Sequence, residues 1–212
     1  MRSSRVSRIY TIHKPVSSLE DLKGLKLRGI GKQGETLKAL GATQIPLEMV
    51  DLYEAMRRGV VEGAMMPLET LKGWKTGELA KYVTASWMVG NSNTFYAVMN
   101  KEKWNSLPAD IKKIFDEVAA EFKEKHAVNW NEIDVEGLQF FKQRGGQVVQ
   151  LTEAEASRWQ KAVEPVVENY KKNMISKGYK AAEVDGWISY IRERVAYWTS
   201  KSKEKGIKSA WQ

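Results

Sequence analysis

Pro108 opens the longest uninterrupted pattern in the chain. From there to about Gln143 no helix breaker occurs except Gly137. Ile111, Phe115, Val118, Phe122, His126, Trp130, Ile133, Gly137 and Phe141 recur at steps of three or four. That spacing puts them on one face of a helix about 35 residues long, or roughly 50 Å at 1.5 Å per residue. Such a helix is too long to serve one small domain. It must cross between domains, bend, or pack on a partner.

The sequence ahead of it alternates short apolar runs with short helical patterns. Val6–Ile12 predicts a strand, and Leu25–Leu27 a shorter one closed by Arg28. Gln33–Leu40 predicts a helix with Leu37 and Leu40 inward and Gly41 as its left-handed cap. Gln44–Leu47 is a further strand. Asp51 is placed to cap a helix that turns Leu52, Ala55 and Met56 inward and ends at Gly59. Val60–Met65 is a strand, and Pro67 suits the first turn of the next helix. Val83–Val89 and Thr94–Met99 complete the series of strands. Strand and helix in regular alternation argue for an α/β sheet.

Beyond the long helix, Arg144, Gly145 and Gly146 form a stop, and Gln147–Leu151 reads as a short strand. Thr152 and Glu155 have the spacing of a capping box. Trp159, Val163, Val166, Tyr170 and Met174 then form a core stripe, with Pro165 expected to kink or divide the helix. Val184, Ile188, Ile191, Val195 and Trp198 give a last helix, followed by a polar tail.

Charge separates the ends of the chain. Residues 1–32 hold eight Lys or Arg against Glu20 and Asp21, an excess of six positive charges out of a net +8. A basic arm suits nucleic acid or an acidic membrane surface, and equally a solubilised strand edge. Cysteine is absent, which excludes disulfides, thiol catalysis and thiolate metal sites. No apolar run is long enough to span a membrane as a helix, and MRSSRVSRIYTIHKP lacks the apolar centre of a secretory signal peptide.

No pattern of catalysis stands out. The two histidines are His13, read as an exposed loop residue, and His126, read as packed on the long apolar stripe. No zinc-protease, phosphate-loop, dinucleotide or nucleophile-elbow motif occurs. Arg28 is the side chain with the clearest chemistry. A guanidinium is always charged and offers a planar fork that matches a carboxylate. At the end of a strand and before the turn Gly29-Ile30-Gly31, it either points into the crevice of an α/β sheet or pairs with a neighbour. Met49, Met65 and Met66 are core residues or adaptable walls for an apolar ligand. Trp74 and Trp87 are core or stacking platforms. Asn93 and Thr94 form a turn or offer hydrogen bonds.

Several segments in combination resemble the DctP-type solute-binding proteins, the extracytoplasmic receptors of TRAP transporters. They are SLEDLKGLKLR at 18–28, LGA at 40–42, DLYEAM at 51–56, GVVEG at 59–63 followed by Pro67, and MNKEKWNSLP at 99–108. The resemblance covers nearly the whole chain. It implies a periplasmic-binding-protein-like α/β fold (type II-like, TRAP/DctP): two domains around a cleft, strands crossing between them, and one very long helix spanning both. This chain then supplies the second domain, the long domain-spanning helix and the C-terminal helices. Residues 1–100 form an α/β ligand-binding domain with crossing strands, 101–146 the long interdomain helix region, and 147–212 a short strand and C-terminal helices.

The resemblance also implies function. In the family, the arginine closing the KLR run binds the ligand's carboxylate, and Arg28 stands there. A second arginine, used by the sialic-acid-binding branch, falls on Arg8. An aromatic position falls on Met49. A ligand-binding asparagine falls on Met66, and the loss of that polar contact implies a less polar ligand than a sugar acid, such as a keto or aromatic acid. Asn93 and Trp74, candidates from the chemistry of their side chains rather than from the resemblance, complete the expected ligand-binding set. The implied protein is a solute-binding receptor that takes up a small organic acid, works in the periplasm and docks on TRAP membrane permease subunits. It is no enzyme and needs no cofactor or metal, although a cation bridges ligand and receptor in some relatives. Nucleic acid is not among its partners.

Family members carry a signal peptide and most of a first domain ahead of the matching region. The expectation is therefore a chain that starts mid-protein, with exposed strand edges that invite homodimerisation or swapping. Two rival readings follow from the residues alone: a basic module binding nucleic acid through residues 1–32, and a swapped-dimer fragment with no ligand.

Overall fold

The computed structural model describes residues 6–91 and 96–207; of Lys123, Glu124 and Ala127 only the backbone is considered. Six short strands share one mixed sheet in the order β3-β2-β4-β1-β5-β6. They are β1 (Arg8–Thr11), β2 (Lys26–Arg28), β3 (Thr43–Ile45), β4 (Gly63–Met66), β5 (Tyr82–Thr84) and β6 (Gln147–Val149). β2 runs parallel to β3 and β4, and β5 parallel to β6. β1 runs antiparallel to both of its neighbours, β4 and β5. β6, which follows the long helix in sequence, thus completes the sheet begun by the first hundred residues.

The helices are α1 (Gly31–Ala39), α2 (Leu52–Arg57), α3 (Glu69–Gly73), α4 (Lys101–Ser106), α5 (Ala109–Gln143), α6 (Glu153–Ser176) and α7 (Ala181–Glu204). They cover both faces of the sheet. Successive strand residues point to opposite faces. In β1, Ile9 enters a cluster with Leu37 of α1 and Trp159 of α6, while Tyr10 enters a second with Leu52, Leu71 and Phe141. In β4, Met65 joins the first cluster and Ala64 and Met66 the second. Every residue of these two strands is buried. That is why they read as continuous apolar runs rather than as alternation.

Much of the expected punctuation is present. Gly41 ends α1 with φ +92°, a conformation that favours glycine. Leu52, Ala55 and Met56 face inward from α2. α5 is one helix of 35 residues. Thr152 caps α6 by accepting from the Glu155 N–H at 3.2 Å.

Other expectations are corrected. Asp51 makes no side-chain cap; α2 grows instead out of a 3-10 turn over Met49–Asp51. The strand expected over Val83–Val89 stops at Thr84. There the Ser86 hydroxyl accepts the Ile9 N–H at 3.2 Å, taking the place of the next ladder bond, and the chain turns into a 3-10 segment, Trp87–Val89. For Thr94–Met99, the first two residues lie outside the described ones, and Tyr96–Met99 belong to no regular element. Pro165 does not divide α6. His126 is exposed on α5, where it meets Trp130 edge-on and accepts its indole N–H. The apolar stripe of α7 is buried at Val184 and exposed at Ile191 and Val195. Both edge strands, β3 and β6, are three residues long, so the sheet offers short edges for pairing. Among the described residues no helix is long and apolar enough to cross a membrane.

Candidate functional site

β2 sits inside the parallel part of the sheet, with Arg28 at its C-terminal end opposite Ile45 and Ala64. Ligands of open α/β sheets bind outside these strand ends. After Arg28 the chain passes Gly29, whose carbonyl accepts from Gln44 Nε2 at 2.7 Å, and an extended Ile30. α1 then starts at Gly31 with φ +51°. A helix start beside a cation concentrates positive potential, because its first N–H groups have no partner within the helix.

The Arg28 side chain is 3% exposed. Its Nε donates to the Leu47 carbonyl at 2.9 Å, and its Nη1 to Met66 Sδ at 2.7 Å. Both acceptors are neutral, and a thioether is a weak one. Arg28 forms no ion pair with a described residue. Burial pushes its pKa below the ordinary value, opposed by the electrostatic influence of Tyr10 and Glu48. Removing such a charge from water costs several kcal/mol unless an opposite charge meets it.

A cavity of about 530 Å³ opens against this guanidinium. Met49 and Met66 line it together with Arg28, so the structure brings three of the expected site residues to one place. The rest of the wall comes from the turn and first residues of α1 (Ile30, Gly31, Lys32, Gln33), from Pro67 and Glu69, and from Asn91.

The other expected residues are not on that wall. Arg8 lies directly across the ladder from Met66, but it is buried with its Nη1 donating to the Val6 and Ser7 carbonyls. Trp74 stands at the end of α3, 44% exposed, and is not among the lining residues. Asn93 lies outside the described residues. Asn91 lines the cavity instead, its Nδ2 donating to Thr36 Oγ1 at 3.2 Å.

Lys32, Gln33 and Glu69 carry no signal in local spacing. Gln33 Nε2 donates to Ser7 Oγ at 2.9 Å, a contact between segments far apart in sequence. Among the described residues, no group of three acidic, histidine or cysteine side chains gathers as a metal site.

Residues 5–173 match the family described as bacterial extracellular solute-binding protein, family 7, named DctP. The chain belongs to this family. It is 25% identical over 167 residues to the sialic acid-binding periplasmic protein SiaP of Vibrio cholerae, covering 77% of this chain and 50% of that one. It is 28% identical over 163 residues to the C4-dicarboxylate-binding periplasmic protein DctP of Rhodobacter capsulatus, covering 75% and 48%. A TRAP periplasmic solute binding protein from Desulfovibrio salexigens, solved with bound orotic acid, superposes with a TM-score of 0.76 at 26% identity, over 90% of this chain and 61% of that one. The chain thus spans about half the length of the curated relatives it matches. Those relatives are solute-binding receptors, and the mixed α/β fold is theirs.

Proposed function

We propose that this chain forms the ligand-holding part of a TRAP-type solute receptor, and that Arg28 holds the carboxylate of a small organic acid. The observation that carries the reading is a guanidinium buried beside a cavity with no acidic partner among the described residues. A carboxylate arriving there displaces the weak sulfur acceptor of Met66 and supplies the missing negative charge, with the start of α1 adding to the attraction. Sialic acid, C4-dicarboxylates and orotic acid, after which the relatives are named or with which one was solved, all bear a carboxylate.

Met49 and Met66 shape the wall, with Arg8 opposite Met66 on the next strand. The receptor works in the periplasm, captures rather than converts its ligand, and delivers it to the membrane permease subunits. A phosphate-binding arm is a poorer reading of the basic N-terminal region. Arg8 and Arg28 are inside the fold, and Lys32 pairs with Glu35 at 2.6 Å.

The test is thermal melting of the chain against a panel of organic acids, alongside Arg28→Ala. A ligand at about 100 times its Kd adds about 2.7 kcal/mol to the stability of the folded state. The expected result is a raised melting midpoint with one class of acid, lost in Arg28→Ala. No shift with any acid, or the same shift in the variant, overturns the reading.

A further inference from the structure

Two amides, Gln33 and Asn91, line the cavity that opens on Arg28, and each is tied to the protein on one side only. Gln33 is 7% exposed, and its Nε2 donates to Ser7 Oγ at 2.9 Å. The backbone N–H of Ser7 donates to the Asn91 carbonyl at 2.9 Å. Gly90 permits that pairing, since a Cβ there collides with Val6 and with the Ser7 carbonyl oxygen. The Asn91 amide is held from α1. The Thr36 hydroxyl has a single hydrogen, which it donates to the Lys32 carbonyl at 2.9 Å. Its oxygen is therefore left to accept, and it does so from Asn91 Nδ2 at 3.2 Å. Gln33 Oε1, Asn91 Oδ1 and the second N–H of each amide have no partner among the described residues. Water can serve such groups in an open cavity. A ligand that displaces the water must replace its hydrogen bonds or leave buried polar groups unpaired.

We propose that Gln33 and Asn91 form a second polar subsite, which takes a hydroxyl group of the acid whose carboxylate Arg28 holds. The inference rests on the carboxylate reading of Arg28. The open side of each amide offers both an acceptor and a donor, and a hydroxyl is the small group that offers both in return. It gives its hydrogen to an amide oxygen and receives an amide N–H. A keto oxygen accepts but cannot donate, so both amide oxygens stay unpaired. A methyl group pairs with none of them. The ligand class is therefore a hydroxy acid.

Isothermal titration of the chain compares hexanoate with 2-, 3- and 6-hydroxyhexanoate, which place the hydroxyl at different distances from the carboxylate. The hydroxy acid whose hydroxyl reaches the amides is expected to bind about tenfold tighter than hexanoate, the scale of one buried hydrogen bond restored. Gln33→Met and Asn91→Leu keep the length of the side chain and remove its hydrogen bonds. In each, that ratio is expected to fall to about threefold or less, with a cooperative melt confirming that the variant folds. A role confined to tying α1 in place weakens both acids alike and leaves the ratio as it was. Hexanoate binding as tightly as every hydroxy acid, or a ratio unchanged in either folded variant, overturns the subsite. Arg28 then still stands as the carboxylate anchor, checked separately by loss of hexanoate binding in Arg28→Ala. Failure of all four acids overturns the subsite, and failure of the wider panel with them overturns the Arg28 reading as well.

Discussion

Phe122 and Phe141 lie on one stripe of one helix, yet Phe122 is 57% exposed and Phe141 fully buried. The difference comes from what each half of α5 meets. The second half lies against α3 and the turn that leads into it. Gly137 makes the approach close: a Cβ there collides with the Leu68 carbonyl oxygen. One turn earlier, the buried Asp134 accepts the Glu69 N–H at 2.9 Å, satisfying a donor that the start of α3 leaves without a partner. Leu138 and Phe141 then enter the cluster around Tyr10. In the first half, Ile114, Phe115, Val118 and Phe122 remain exposed, with Trp104 of α4 edge-on to Phe115. Period therefore reveals the helix and its apolar face. It says nothing of how far along the face a neighbour extends.

Substitutions sharpen or break that contrast. Phe141→Ala carries the largest effect, a loss of about 3–5 kcal/mol from the cavity left in the core, read by urea denaturation. Gly137→Val follows with a loss of about 1–3 kcal/mol or more, since the helix must back away from Leu68. Asp134→Ala costs about 1–3 kcal/mol by stripping the Glu69 N–H of its acceptor, whereas Asp134→Asn retains an acceptor oxygen and most of the stability. Phe122→Ser changes stability by less than about 0.5 kcal/mol. If Phe122→Ser proves as damaging as Phe141→Ala, the first half is covered in solution and the contrast fails.

The chain's legible parts are those encoded locally. The strand closed by Arg28, the glycine ending α1, the Thr152 cap and the full extent of α5 depend on neighbours a few residues away. What escaped is made by distant pairs. Ser86 ends β5 early because its hydroxyl reaches Ile9. Met66 meets Arg28 across the sheet, and Gln33 and Asn91 reach Ser7 and Thr36, so the cavity's committed polar groups leave no trace in local spacing. His126 fits the apolar stripe by position and is exposed, as are Phe115, Val118 and Phe122 of the same half of the helix. Arg28, Met49 and Met66, expected at a site from the likeness of their flanking segments to a family, line one cavity in the structure. Trp74, expected from the stacking surface of its ring, is not among the residues lining this cavity.

The junction at Gly137 has a mechanical side. Pro67 and Glu69 belong to the cavity wall, and the residue between them is the one against which Gly137 rests. The wall and the second half of α5 are consequently in direct contact at Leu68. A stiff rod fixed near one end is a lever. Across the roughly 25 Å of its free half, a tilt of about 5° at the fixed end sweeps the far end through about 2 Å. By that geometry, a tilt of α5 set at Gly137 would be largest at Ile111, far from the cavity.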